Sequence, residues 1–354
     1  MSVRWTQVKK LDTVDAFRTH CAQLGVEIPI DDHVDPAGVL ARPVEIRDGS
    51  SGSLTAPNRF AVLPMEGWDA TTDGRPTDLV RRRWQRFGAS GCGLVWGEAT
   101  AVRADGRANP NQLILDARTV EEIAELRSLL DPAQVVGLQL THSGRWSRPE
   151  GVPLPRTAYA HPLLDRRVDV DARAVFDDGE LDELAEAYVA AAVLAQQAGF
   201  DFVDVKHCHG YLLHELLTGY DREGRFGGDL HGRTEFLRTV VTGIREQAPG
   251  LAIAVRLSAF DMMPFAPGDG EWANRSRTGH TASHSAATPP DSASTSRRLT
   301  NCSMSSPISV SGWSAPPPAA RTTTRTSNAL RTSRRRTGIS RPRIRSSVWP
   351  GNSP

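Results

Sequence analysis

At 354 residues with 39% hydrophobic content, the chain is long enough for one large α/β barrel or two ordinary domains. Its net charge of +1 sums two unlike pieces, because residues 274–354 hold thirteen Arg against a single acidic residue, Asp291, and so leave residues 1–273 strongly acidic. An acidic body argues against a natural nucleic-acid partner, because phosphate neutralisation needs clustered Lys or Arg, no run of about 18 apolar residues offers a membrane span, and four scattered cysteines (Cys21, Cys92, Cys208, Cys302) lack the spacing that seats zinc or an iron–sulfur cluster.

Residues 1–57 are polar and broken by Gly49, Gly52 and Pro57, which reads as a leading arm of turns and short strands. No basic-then-apolar signal pattern opens it, and with the cysteine usage this points to a reducing, cytoplasmic setting. Phe60 to Met65 is strand-like, and Asp78 to Phe87 has cap chemistry followed by a helical pattern. Cys92 to Trp96 is the next strand. Thr119 to Leu130 is a helix opened by a capping-box pattern, Thr119 with Glu122. Val135 to Leu140 is a third strand, followed by a long Pro/Arg-rich loop, 141–178. Leu181, Leu184, Ala185, Tyr188, Ala191, Ala192 and Ala195 recur at helical spacing, and the strand Phe202 to Val205 follows. A helix from about Thr234 to Gln247 and a strand from Ala252 to Leu257 complete the pattern. Repeated βα order implies right-handed crossovers and a parallel sheet. No Gly-x-Gly-x-x-Gly follows the first strand, so an α/β barrel fits better than a dinucleotide-binding sheet.

The predicted fold is therefore a TIM (β/α)8 barrel, incomplete at about five βα units. The predicted divisions are an arm over 1–57, a partial barrel over 58–266 and a disordered tail over 267–354. In residues 274–354, 51 of 81 residues are Arg, Ser, Thr or Pro, a composition that cannot bury a core. Codons can also be chosen from Asn301 onward so that a two-nucleotide shift yields helix, strand and loop text. The tail is accordingly read as a neighbouring reading frame, with the slip near 265–280.

The stretch from Val203 to Leu217 changes from strand to helix spacing where Lys206, His207, His209 and Tyr211 stand, the place where barrel enzymes keep their chemistry. Taken with Asn58-Arg-Phe-Ala-Val-Leu-Pro-Met65, Gly93-Leu-Val-Trp-Gly-Glu-Ala-Thr100, Leu138-Gln-Leu-Thr-His-Ser-Gly-Arg145, Gly227-Gly228 with Arg233 and Phe236, and Val255-Arg-Leu257, it resembles the Old Yellow Enzyme family of NADH:flavin oxidoreductases from residue 58 to about 261. The resemblance implies an FMN-dependent enzyme that passes hydride from NAD(P)H through FMN to an activated C=C bond of a small-molecule substrate, and leaves a homo-oligomer open.

It also implies roles by position. Pro64, Met65 and Ala99 would lie against the flavin ring, Gln139 at its pyrimidine edge, and Arg256 as a cation beside the N1 and O2 region. Lys206 and His209 would hold the substrate carbonyl, with Tyr211 as proton donor. Two positions depart from the family pattern. Lys206 stands where relatives usually carry His, and Glu66 stands near the flavin where many carry Thr or Cys. A Glu66 carboxylate there disfavours anionic reduced flavin unless it points away. His207, His209 and His214 lack a carboxylate at ligand spacing, so no metal is expected. With the flavin phosphate anchored by later units in the family, the chain as written is expected to bind FMN weakly or not at all. Two alternatives stand beside this reading: a lyase using Lys206 as a Schiff-base nucleophile, and a degenerate, inactive barrel with a basic binding tail.

Overall fold

Short apolar runs separated by capped helices build a one-directional sheet. The computed structural model describes residues 6–47, 52–161, 164–168, 170 and 172–258, together with the backbone of 265–266 and 274–275. The rest of the tail, and with it the expectation of disorder and of a shifted frame, lies outside the described residues.

Thr13 caps the first helix, α1 (Val14–Gln23), its hydroxyl accepting from the Ala16 N–H at 3.1 Å. This helix corrects the expectation of turns and strands alone. Only Cys21 of it is buried, so it lacks the apolar periodicity that reveals a core helix. An antiparallel hairpin follows, β1 (Val44–Arg47) with β2 (Ser53–Ala56). Then come β3 (Ala61–Val62), α2 (Asp78–Gly88), β4 (Leu94–Val95), β5 (Ala99–Ala101), α3 (Val120–Ser128) and β6 (Val135–Thr141). The chain continues with α4 (Asp165–Val168), α5 (Asp178–Gln197), β7 (Phe202–Val205), α6 (Leu212–Leu217), α7 (Leu230–Gln247) and β8 (Ala252–Ala254).

The sheet order is β3-β4-β6-β7-β8, parallel throughout, with β5 pairing on β6. β4 and β5 are two halves of one barrel strand, broken at Gly97. Gly97 takes φ +67, and a Cβ there would stand 2.3 Å from the Gly137 carbonyl oxygen, so only glycine allows the strand to swing at this point. The described residues thus form five consecutive strands of a (β/α)8 barrel.

Alternation sorts each strand into two faces. Val136, Leu138, Leu140, Val203 and Val205 pack under the helices, in one core with Leu184, Tyr188, Val240 and Ile244 of α5 and α7. The opposite face begins with Leu94, Val135, Phe202 and Ala252, the first residues of their strands, and Val44, Ile46 and Leu54 of the hairpin pack on them. The hairpin therefore covers the end of the barrel where the strands start. Further along the inward face, at Gln139 and Asp204, the side chains turn polar.

The capping box read at Thr119 is absent. The Thr119 hydroxyl donates instead to the Ile114 carbonyl at 2.7 Å, and Glu122 is taken by Arg75. A capping box does open α5, where Asp177 and Glu180 exchange bonds with each other's backbone N–H. The long loop after β6 is fastened by Arg145, which is fully buried and donates to Glu215 of α6 at 2.5 Å, to the Tyr159 carbonyl at 2.9 Å and to Asp165 of α4.

Candidate active site

The parallel register aligns Ala99 of β5 with Gln139 of β6, Gln139 with Asp204 of β7, and Asp204 with Ala254 of β8. One layer of the barrel interior thus carries an amide and a carboxylate where the layer below carried only apolar groups. Asp204, fully buried, accepts from Trp96 Nε1 at 2.7 Å, from Gln139 Nε2 at 2.5 Å and from the Arg256 N–H at 2.7 Å. Burial pushes its carboxyl above the ordinary range, while these three donors and the charge of Lys206 pull it back.

One step beyond this layer lie Lys206 and Arg256, the residues that follow Asp204 and Ala254 on the same inward face. Lys206, 3% exposed, donates to Glu66 Oε1 at 2.8 Å, and its Nζ lies 4.1 Å from the centroid of the Tyr211 ring. Tyr211, which ends the turn into α6, donates its hydroxyl to Glu66 Oε2 at 2.9 Å, and Trp68 Nε1 donates to the same oxygen at 3.0 Å. Glu66 therefore points into the site and binds three donors from two separate parts of the chain.

Arg256 Nη1 reaches only the Pro64 carbonyl, at 3.4 Å, and its guanidinium has no carboxylate partner among the described residues. His209 sits at φ +66, with its N–H donating to Ser258 Oγ at 3.3 Å. Burial, and then the charges of Lys206 and Arg256, push its imidazole down to about 4, so it is neutral at physiological pH. His207 is buried with Nδ1 2.7 Å from the Val205 carbonyl, and His214 Nδ1 accepts from the Gly210 N–H, so neither joins Lys206. Among the described residues no group of three His, Cys, Asp or Glu side chains is placed to hold a metal ion, and no helix is long and apolar enough to cross a membrane.

Of the residues singled out in the sequence, Lys206, Tyr211 and Glu66 meet directly. Pro64 touches Arg256, Gln139 and Ala99 share a layer, and Met65 is half exposed, with its carbonyl accepting from the Ala99 N–H at 3.1 Å. Sequence reasoning missed Asp204, Trp96 and Trp68, and also the groups that hold the loop carrying Glu66. There the Gly67 N–H donates to Glu98 Oε1 at 2.9 Å, and Arg83 bridges Glu98 and Asp69. The signal for Asp204 was present as a lone acid at an inward position of an apolar strand.

The layer suits a flat polar ring such as a flavin. It offers backbone at 64–66 and 99, an amide at Gln139, and a guanidinium without a counter-ion at Arg256. An ion-paired Lys206 donates hydrogen bonds, whereas the Schiff-base alternative needs it as a free amine.

The NADH:flavin oxidoreductase / NADH oxidase family profile matches residues 43–272. An NADPH dehydrogenase of Geobacillus sp. (strain WCH70) is 30% identical over 231 residues, covering 64% of this chain and 65% of that one. The NADPH dehydrogenase of Bacillus subtilis (strain 168) is 29% identical over 228 residues, covering 63% and 64%. Among solved structures, the Old Yellow Enzyme from Pichia sp. AKU4542 aligns with a TM-score of 0.52 at 24% identity, over 62% of this chain and 59% of that one. Morphinone reductase aligns with a TM-score of 0.51 at 23% identity, over 63% of each. At such identities the structural likeness speaks to the fold. The chain spans just under two thirds of the length of the curated relatives it matches.

Proposed function

The chain belongs to the NADH:flavin oxidoreductase / NADH oxidase family, and on that premise we propose that its strand-end layer is a flavin site serving hydride transfer from NAD(P)H to an activated C=C bond. The observation that carries this reading is Arg256, a guanidinium without a carboxylate partner among the described residues, one step beyond the Gln139 layer. A cation there favours an anionic ring edge. FMN, when bound, supplies two-electron storage between a nicotinamide donor and a carbon acceptor.

The chain's own groups do the rest. The backbone of Pro64, Met65 and Ala99 would hold the ring, and Gln139 would bond its edge. Asp204 fixes the orientation of Gln139 by accepting from its Nε2. Lys206 and neutral His209 donate to a substrate carbonyl, which draws electron density from the conjugated C=C. Tyr211 then delivers the proton to carbon, a step that requires its hydroxyl to turn from Glu66 to the substrate.

If residues 267–354 are out-of-frame text, the later units that anchor the flavin phosphate in the family are not encoded here, and the chain is expected to hold FMN weakly. The domain division into an arm over 1–57, a partial barrel over 58–266 and this tail belongs to the same proposal. The family profile ends its match at residue 272, close to where the composition changes.

The test is anaerobic mixing of the full chain, saturated with FMN, with NADH or NADPH and then with a cyclic enone. Bleaching of the flavin band followed by its return supports the reading. Tyr211→Phe should slow only the return, on the order of tenfold or more. A band that never bleaches, or a return that Lys206→Met and Tyr211→Phe both leave unchanged, refutes it.

A further inference from the structure

The Glu66 carboxylate has a definite place in the site. Its two oxygens take Lys206 Nζ at 2.8 Å, the Tyr211 hydroxyl at 2.9 Å and Trp68 Nε1 at 3.0 Å. The pair is sequestered from water, with side-chain exposures of 2% for Lys206 and 11% for Glu66. The loop carrying Glu66 is itself fixed. Trp68 adopts φ +54, and the Gly67 N–H is bound by Glu98, which Arg83 joins to Asp69. Glu66 therefore cannot drift off Lys206 without breaking several buried bonds.

Charge bookkeeping at Lys206 then sets what the site accepts. An ammonium facing a site attracts anions, but this one is neutralised at contact distance, and a second anion would lie beside the Glu66 carboxylate in a poorly solvated space. A neutral carbonyl oxygen meets no such repulsion and can share the Lys206 donors while Glu66 keeps its place.

We propose that Glu66 is a specificity-determining residue, an internal counter-ion that makes Lys206, as distinct from the neighbouring Arg256, take neutral carbonyl ligands and refuse small organic anions. The proposal rests on the reading that ligands reach Lys206 at the strand-end site, though not on flavin being bound. Its corollary is that neutralising Glu66 turns the same site into an anion receptor built on Lys206.

Benzoate and benzamide, matched in size and differing in charge, are the probes. Their binding to the full chain is measured by calorimetry and by quenching of tryptophan fluorescence, with and without FMN. Glu66→Gln is expected to raise benzoate affinity on the order of tenfold or more, since relief of a like-charge contact is worth at least that, and to change benzamide affinity far less. Adding Lys206→Met to Glu66→Gln should abolish the gain. Equal benzoate affinity in wild type and Glu66→Gln, a gain that survives loss of Lys206, or no binding of either probe to any variant overturns the proposal. Should Glu66→Gln fold poorly, Glu66→Thr carries the same comparison. Failure of FMN to bind counts against the flavin reading alone, because the benzoate comparison without FMN still decides the role of Glu66. Flavin binding with no benzoate gain refutes Glu66 alone.

Discussion

Asp204 joins more of the site than any residue named in the sequence. It gathers Trp96, Gln139 and the Arg256 backbone, so one carboxylate on β7 ties in three neighbouring segments at the level of the proposed ring. Asp204→Leu would leave three buried donors without an acceptor and should cost on the order of 3 kcal/mol or more in urea unfolding. Asp204→Asn, which keeps one acceptor oxygen, should cost clearly less. Equal losses would mean that the cost lies in packing and not in the bonds. His207 supplies one part of the pH dependence at this scale. Burial pushes its imidazole down to about 4, whereas the unfolded chain takes up the proton near the ordinary value of about 6.5. The unfolded state therefore binds more protons through that interval, and this contribution to stability is lost as pH falls from about 6.5 to about 4, by about 3 kcal/mol in total. His207→Gln should remove that component, read as the difference between its urea midpoints and those of wild type across the range. Glu66 shows why site residues were only partly legible: its identity and position were visible, but its direction depends on Trp68 donating to it and on the Gly67 N–H being held by Glu98, which lies 32 positions away.

Element by element, the strands and core helices were readable because each carries its own signal. Val135 to Leu140 is an apolar run, α5 has apolar residues at helical spacing, and both appear with ends within a few residues of expectation. Elements whose cause is not hydrophobic were not readable. α1 exists through its Thr13 cap and the Arg18 bonds to Asp32 and the Ile30 carbonyl, and Thr119 mimics a capping box although tertiary contacts claim its hydroxyl. The break between β4 and β5 likewise follows from a backbone clash that no window of sequence displays. Gly97→Ala tests it. A Cβ against the Gly137 carbonyl, at a positive φ, should cost about 3 kcal/mol and lower the midpoint of thermal unfolding. An unchanged melt would mean that β4 and β5 can run as one unbroken strand.

For the whole molecule, five parallel strands bring residues from 64 to 256 onto one end of a partial barrel, and the family match covers the same span. The barrel class was legible from βα alternation together with the missing Gly-x-Gly-x-x-Gly after the first strand. The polar layer was not, because it arises only when Ala99, Gln139, Asp204 and Ala254 fall into register. The central claim is that this layer binds the flavin ring through Gln139 and Arg256 while the phosphate adds little. Titration of the purified full chain with FMN and with riboflavin, read by flavin fluorescence quenching, tests it most directly. The account predicts weak binding of both flavins with nearly equal affinity, reduced about tenfold or more for both by Arg256→Met, as expected for loss of a charged contact. Tight retention of FMN through purification with riboflavin bound far more weakly, or binding indifferent to Arg256→Met, would contradict it.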